Sequence, residues 1–168
     1  MKKLLFLFAF IFILFPSNVF AKEYSQFYDF YWEDSLQDIQ NKTLILEYNK
    51  YVPEENAVVY TTYLKDIYYP NVLIECELYL WNNKLYKIQN TIYPVDPTTY
   101  DKDKYLYNKF LEIYNTYGIH DIEDSFGRGW KINNTLIILA SKNDIIGLAF
   151  INDTLNKEAK ADGAKINQ

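Results

Sequence analysis

The chain has 168 residues, 18% of them aromatic, with 17 Lys and Arg against 22 Asp and Glu and a formal net charge of −5. An acidic balance scattered along the chain disfavours nucleic acid and anionic membrane surfaces as partners, because both reward clustered Lys and Arg. One His and one Cys exclude a zinc site built from three or four such ligands and permit no internal disulfide, and no metal or other cofactor is expected.

Residues 1–21, MKKLLFLFAFIFILFPSNVFA, combine two lysines, an apolar run of 12 residues, the helix breaker Pro16, and Val19 and Ala21 at the minus-three and minus-one positions of a cleavage site. This is the pattern of a secretory signal peptide, and the apolar run falls short of the roughly 20 residues of a membrane span. No Cys follows the run, which disfavours a lipid-anchored lipoprotein. The expected product is an exported chain, periplasmic or secreted, with no stable membrane anchor after cleavage. Its 147 residues have the size of one domain.

Residues 24–32 (YSQFYDFYW) hold six aromatics in nine positions, the pattern of an edge strand covering a core or of a sticky binding segment. Ser35 then caps a short helix, with Asp38 three residues on as the reciprocal partner of a capping box, and Leu36 and Ile39 share its docking face. Residues 43–52 and 57–65 are β-rich runs around the turn PEEN. Leu44, Leu46 and Tyr48 form one inner face, and Val58, Tyr60, Thr62 and Leu64 the other.

Residues 72–93 hold the clearest hairpin. Val72, Ile74, Cys76, Leu78 and Leu80 alternate onto an apolar face, and Leu73, Glu75, Glu77, Tyr79 and Trp81 onto the opposite one. A three-residue loop over 81–83, with Asn83 left-handed, pairs Leu78 with Tyr86 and Cys76 with Ile88. Cys76 then reads as a small buried hydrophobe.

From Asp96 the period changes to that of a helix ending before Gly118, with Asp96 or Thr99 as cap and Leu106, Phe110, Ile113 and Tyr117 as the apolar stripe. Asp101 and Asp103 complement the dipole of its first turn. Strands return at 130–132, 135–141 and 145–151. The middle run is apolar on both faces, which predicts a central strand or one covered on both sides. The fold expected is α+β, one domain over 22–155: an antiparallel meander sheet of four to seven strands, a short N-terminal helix, and one long amphipathic helix on one face. Residues 156–168 are polar without apolar periodicity and read as a flexible tail, a frayed helix or disordered.

His120 beside Asp121 could serve as a general base, but a helix-terminal His is more simply a solvated cap. Asp121, Glu123, Asp124 and Ser125 offer oxygen ligands without the spacing of a calcium loop. Glu75 and Glu77 share a strand face about 7 Å apart, as paired carboxylates of a hydrolase could, or as a wet face with Lys87 nearby. The aromatic residues Tyr63, Tyr79 and Trp81 fall on the face away from the core, where large contact area at small entropic cost suits a protein or glycan partner. The alternative is that a second element covers them.

The stretch 30–39 (FYWEDSLQDI) and the hairpin after it resemble small exported bacterial α+β domains of the β-lactamase-inhibitor-protein-like group, shared in outline by the small lipoprotein of the outer-membrane protein assembly machine. Glu33 and Asp34 stand where a glycine is usual before the helix, and there is no lipobox cysteine. The resemblance implies a noncatalytic binding or scaffolding module of the cell envelope. A secreted hydrolase using Glu75, Glu77 or His120, or a glycan-binding protein, is the alternative.

Overall fold

The computed structural model describes residues 29–43, 45–66, 69, 71–96, 98, 100–123, 127–142 and 145–167. The signal peptide read over 1–21 lies outside them. The strands are β1 (Glu47–Val52), β2 (Ala57–Lys65), β3 (Val72–Trp81), β4 (Lys84–Pro94), β5 (Ile122–Glu123), β6 (Gly127–Ile132), β7 (Thr135–Lys142) and β8 (Ile145–Asn152). The α-helices among the described residues are α1 (Leu36–Gln40), α2 (Lys102–Tyr117) and α3 (Asp153–Ile166). All eight strands form one antiparallel sheet in the order β1-β2-β3-β4-β8-β7-β6-β5. Two four-stranded meanders thus meet where their last strands pair, and α2 carries the chain from one to the other.

The architecture is α+β as the sequence indicates, with eight strands instead of four to seven. The excess is β5 and the start of β6. Gly127, Arg128 and Gly129 hide the alternation there, yet Arg128 pairs with Leu139 and Gly129 with Ile138.

The central hairpin turns on two residues, Asn82 and Asn83, both left-handed at φ 49 and 60, and not on the three-residue loop expected. A bulge repairs the register: Leu80 pairs with Leu85 but Tyr79 with Lys87, leaving Tyr86 as the extra residue. Leu78 therefore faces Ile88, and Cys76 faces Asn90. Alternation alone cannot reveal a bulge, which shifts register by one and restores the faces.

The sheet's inner face carries the main core. Val72, Ile74, Cys76, Leu78, Ile88, Ile92, Ile137, Leu139, Leu148 and Phe150 cluster there with Phe30, Ile39 of α1, and Tyr105 and Ile113 of α2. Ser35 caps α1 in a reciprocal box with Asp38, as the sequence indicates, but the helix has only five residues. Of the aromatic segment at 24–32, residues 29–32 are described and form no strand; Phe30 is buried, and the Trp32 indole donates to Thr135 Oγ1 at 3.0 Å. The edge strand is β1, which starts at Glu47, later than expected. At that edge Tyr48 is 63% exposed. Leu44 lies outside the described residues.

Helix α2 is capped by Asp101, whose carboxylate accepts from the Lys104 amide at 3.0 Å, and not by Asp96. Gly118 ends it at φ 84. Of the expected stripe Ile113 is buried and Leu106, Phe110 and Tyr117 are part-buried against the core, while the other fully buried positions are Tyr105 and Lys109, one residue round. A lysine at a buried position hides that part of the seam from the apolar pattern. Lys109 Nζ lies 3.0 Å from Asp66 Oδ2, to which Tyr105 also donates at 2.8 Å.

The C-terminal stretch, expected as a frayed helix or flexible tail, is a helix docked on the sheet. Asn152 caps α3 by accepting from the Leu155 amide at 3.1 Å. The helix buries Leu155, Ala159 and Gly163, four apart, so its seam consists of residues too small to announce themselves as an apolar stripe.

Candidate functional site

Cross-strand pairing lays the outer face out in rows. One row runs Tyr63, Glu75, Thr91, Gly147, Ala140 and Gly127 from β2 to β6. The next runs Thr61, Glu77, Gln89, Ala149, Ile138 and Gly129. A third holds Val59, Tyr79, Lys87, Ile151 and Leu136.

Helix α3 lies on the end of this face marked by the third row. Leu155 and Ala159 form a second cluster with Ala57, Val59, Tyr79 and Tyr86. Asp162 accepts from the Trp81 indole at 3.1 Å and from Asn56 Nδ2 at 2.7 Å. At Gly163 the helix backbone comes so near the turn before β2 that a Cβ there would stand 2.4 Å from Glu54 O.

The three aromatics singled out in the sequence therefore part company. Tyr79 is only 6% exposed and Trp81 is half-buried, both tied in by α3. These two are covered side chains rather than an exposed contact pair, because the supposed tail is their cover. Tyr63 alone remains open, at 49% exposure, in the row that α3 leaves free.

Beside α3 runs a chain of polar contacts. Glu55 accepts from Tyr86 OH at 2.5 Å and Lys87 Nζ at 2.7 Å. The same ammonium sits 3.8 Å from the centre of the Tyr79 ring, a cation–π contact. The Tyr79 hydroxyl donates to Glu77 at 2.9 Å, and Glu77 also accepts from Lys50 at 2.9 Å and Asn49 at 3.0 Å. Burial works to raise the Glu55 pKa, but the bonds from Lys87 and Tyr86 outweigh it and hold the carboxyl below its ordinary value. Burial, then the acceptor carboxylate, pushes both tyrosines above theirs. Of the paired carboxylates weighed for hydrolysis, Glu77 is thus committed to three donors, and its cation is Lys50; Lys87 belongs to Glu55.

Beyond α3 the outer face opens into a groove of about 380 Å³ lined by Gln89, Thr91, Ile138, Ala140, Lys142, Ile145, Gly147 and Ala149. Its floor is β8, where Gly147 and Ala149 offer almost no side chain. β7 is an interior strand between β8 and β6, the first of the two expectations for it, but the second, cover on both sides, does not hold: Ile137 and Leu139 are buried, while Leu136, Ile138 and Ala140 on the outer side are only part-buried. No described element roofs them.

The other candidates lie elsewhere. His120 Nε2 meets Glu123 at 3.1 Å, Arg128 binds the same carboxylate at 3.1 Å, and Asp121 accepts from the Lys131 amide at 2.6 Å. These contacts bind the β5–β6 edge together; Asp124 and Ser125 lie outside the described residues. Among the described residues no three His, Cys, Asp or Glu converge as metal ligands. Cys76 is fully buried on the inner face, and burial pushes its thiol up to about 12. The groove escaped the sequence reading, although the doubly apolar run 135–141 followed by a strand with Gly147 and Ala149 inside it was its signal. No family model, curated protein or solved structure matches the chain.

Proposed function

We propose that this chain is an exported, noncatalytic binding module that docks a protein partner on the open part of its outer sheet face. The observation that carries the reading is that β7 and β8 are apolar on both sides while the described residues cover only one. Ile138, Ala140, Gly147 and Ala149 stay part-exposed together beyond the row under α3, beside Gln89, Thr91 and Lys142. Contiguous apolar surface with a polar rim costs solubility in a chain that acts alone and marks a docking site. Tyr63, in the same row as Gly147, extends the contact surface toward β2. The secretory pattern of residues 1–21 supports a place in the envelope or beyond it. The resemblance to the β-lactamase-inhibitor-protein-like group belongs to the same reading, and an antiparallel sheet with one open face supports it.

The test is site-specific cross-linking in envelope extract, with p-benzoylphenylalanine placed at Ile145 on the groove rim or, as control, at Tyr107 on α2. A discrete adduct of one protein from Ile145 alone, lost in Ile138→Glu at unchanged thermal stability, is the expected result. Equal adducts from both positions, or none from Ile145, would overturn the docking role.

A further inference from the structure

Five glycines occur in the chain. Gly118 has a left-handed backbone at φ +84, and a Cβ at Gly127 or Gly163 would strike carbonyl oxygens at 2.3 and 2.4 Å. Gly129 packs against Ile122, 3.5 Å from a built Cβ. Gly147 has no such reason: a Cβ there meets nothing within 4 Å, and its φ lies outside the left-handed region. Yet it sits inside β8, where glycine is less favourable than a residue with a side chain. A strand glycine commonly marks the close approach of another group. Nothing in the described chain approaches Gly147, so the space above it is left for something from outside.

We infer that the groove over Gly147 receives a tyrosine or tryptophan side chain of a protein partner. This rests on the docking role proposed above and adds the residue that docks. At about 380 Å³ the groove is at the small end of ligand sites, which run from roughly 300 to 1,000 Å³, and it suits one bulky side chain. Its floor and one wall are apolar, while the β4 wall carries Gln89, whose carboxamide bonds to no described residue. A ring with an apolar body and one polar edge satisfies both walls, since a buried Tyr hydroxyl or Trp N–H needs a partner. A lipid chain would instead leave Gln89 and Thr91 buried without one. Lys142, exposed on the rim and without an ion-pair partner among the described residues, favours a carboxylate beside the docking aromatic. The groove also continues the surface on which α3 is already seated, two strand positions along from the row of Tyr79 and Lys87, so a partner segment would lie beside α3.

The experiment is an NMR titration of the purified, isotopically labelled chain with N-acetyl-tryptophanamide and N-acetyl-tyrosinamide, using N-acetyl-leucinamide as control. Saturable shifts confined to the amides of Thr91, Ala140, Gly147 and Ala149 are expected, with leucinamide at least about tenfold weaker. Gly147→Leu, whose side chain has open space to occupy, should remove them while the rest of the spectrum and the melting temperature stay unchanged. Absent or scattered shifts, equal binding of leucinamide, or binding undiminished in Gly147→Leu would overturn the inference. If the aromatic amides fail while the Ile145 cross-link persists, the aromatic anchor falls alone. If they bind and no cross-link forms, the docking role falls, and with it the protein source of the ring.

Discussion

Replacing Lys109 by Met should destabilise the fold more than any other single surface-to-core charge removal on α2. Lys109 and Asp66 are each 5% exposed, and the ammonium lies 3.0 Å from the carboxylate. At an effective dielectric of about 20 that separation corresponds to roughly 5 kcal/mol of attraction, from which desolvation must be subtracted. Removing one partner of such a pair typically costs about 3–5 kcal/mol, because the other charge stays behind in the core. Lys109→Met leaves Asp66 with the Tyr105 hydroxyl and the Tyr69 amide as described donors and should cost about 3 kcal/mol. Glu112, which the ammonium also meets at 3.0 Å, has a side chain 56% exposed. Glu112→Gln should therefore cost under about 1 kcal/mol. Urea unfolding followed by tryptophan fluorescence reads both, with Trp130 in the core beneath α2 as reporter. Asp66→Asn combined with Lys109→Met should recover much of the single-variant loss. Equal costs for Lys109→Met and Glu112→Gln, or a double variant that simply adds its singles, would refute the reasoning.

Asn90 is fully buried on the inner face, and neither polar atom of its carboxamide has a hydrogen-bond partner among the described residues. Asn90→Leu should raise stability by about 1–2 kcal/mol in the same urea assay, and a loss would show that the amide is satisfied. Gly163→Ala should loosen α3 from the turn at Glu54 and lower the melting temperature, at a cost of about 1–3 kcal/mol for forcing a methyl into closed space. The pH dependence should carry a Glu55 component. Its folded pKa lies below the ordinary 4.5, so the stabilisation is full above that value and is lost as pH falls through the folded pKa. Glu55→Gln should be less stable than the parent at neutral pH and lose less on acidification; parallel profiles would contradict the assignment.

Much of the fold was legible because local chemistry stated it. Ser35 and Asp38 announce the α1 box, Gly118 the end of α2, and the 72–93 alternation the central hairpin. What escaped depended on contacts between distant residues. The Tyr86 bulge is invisible to alternation, and Lys109 could not be placed inside until Asp66 was known to lie opposite. Ala159 and Gly163 read as part of a polar tail, cut off from Leu155 before it, because a seam of shrinking residues has little apolar signal, and that omission decided the site. With α3 missing, Tyr79 and Trp81 looked exposed. The groove needed the β4–β8 pairing, which brings Thr91 beside Gly147 across 55 intervening residues.

The most direct test is the accessibility of Ala149→Cys to a maleimide. The native Cys76 is fully buried with its thiol pushed up to about 12, so it should stay silent under the same conditions. In the purified chain Cys at 149 should label rapidly, and in the intact envelope of the producing cell a docked partner should protect it. Rapid labelling in both settings would contradict docking on this face, and slow labelling of the purified chain would mean that the face is covered by the chain itself.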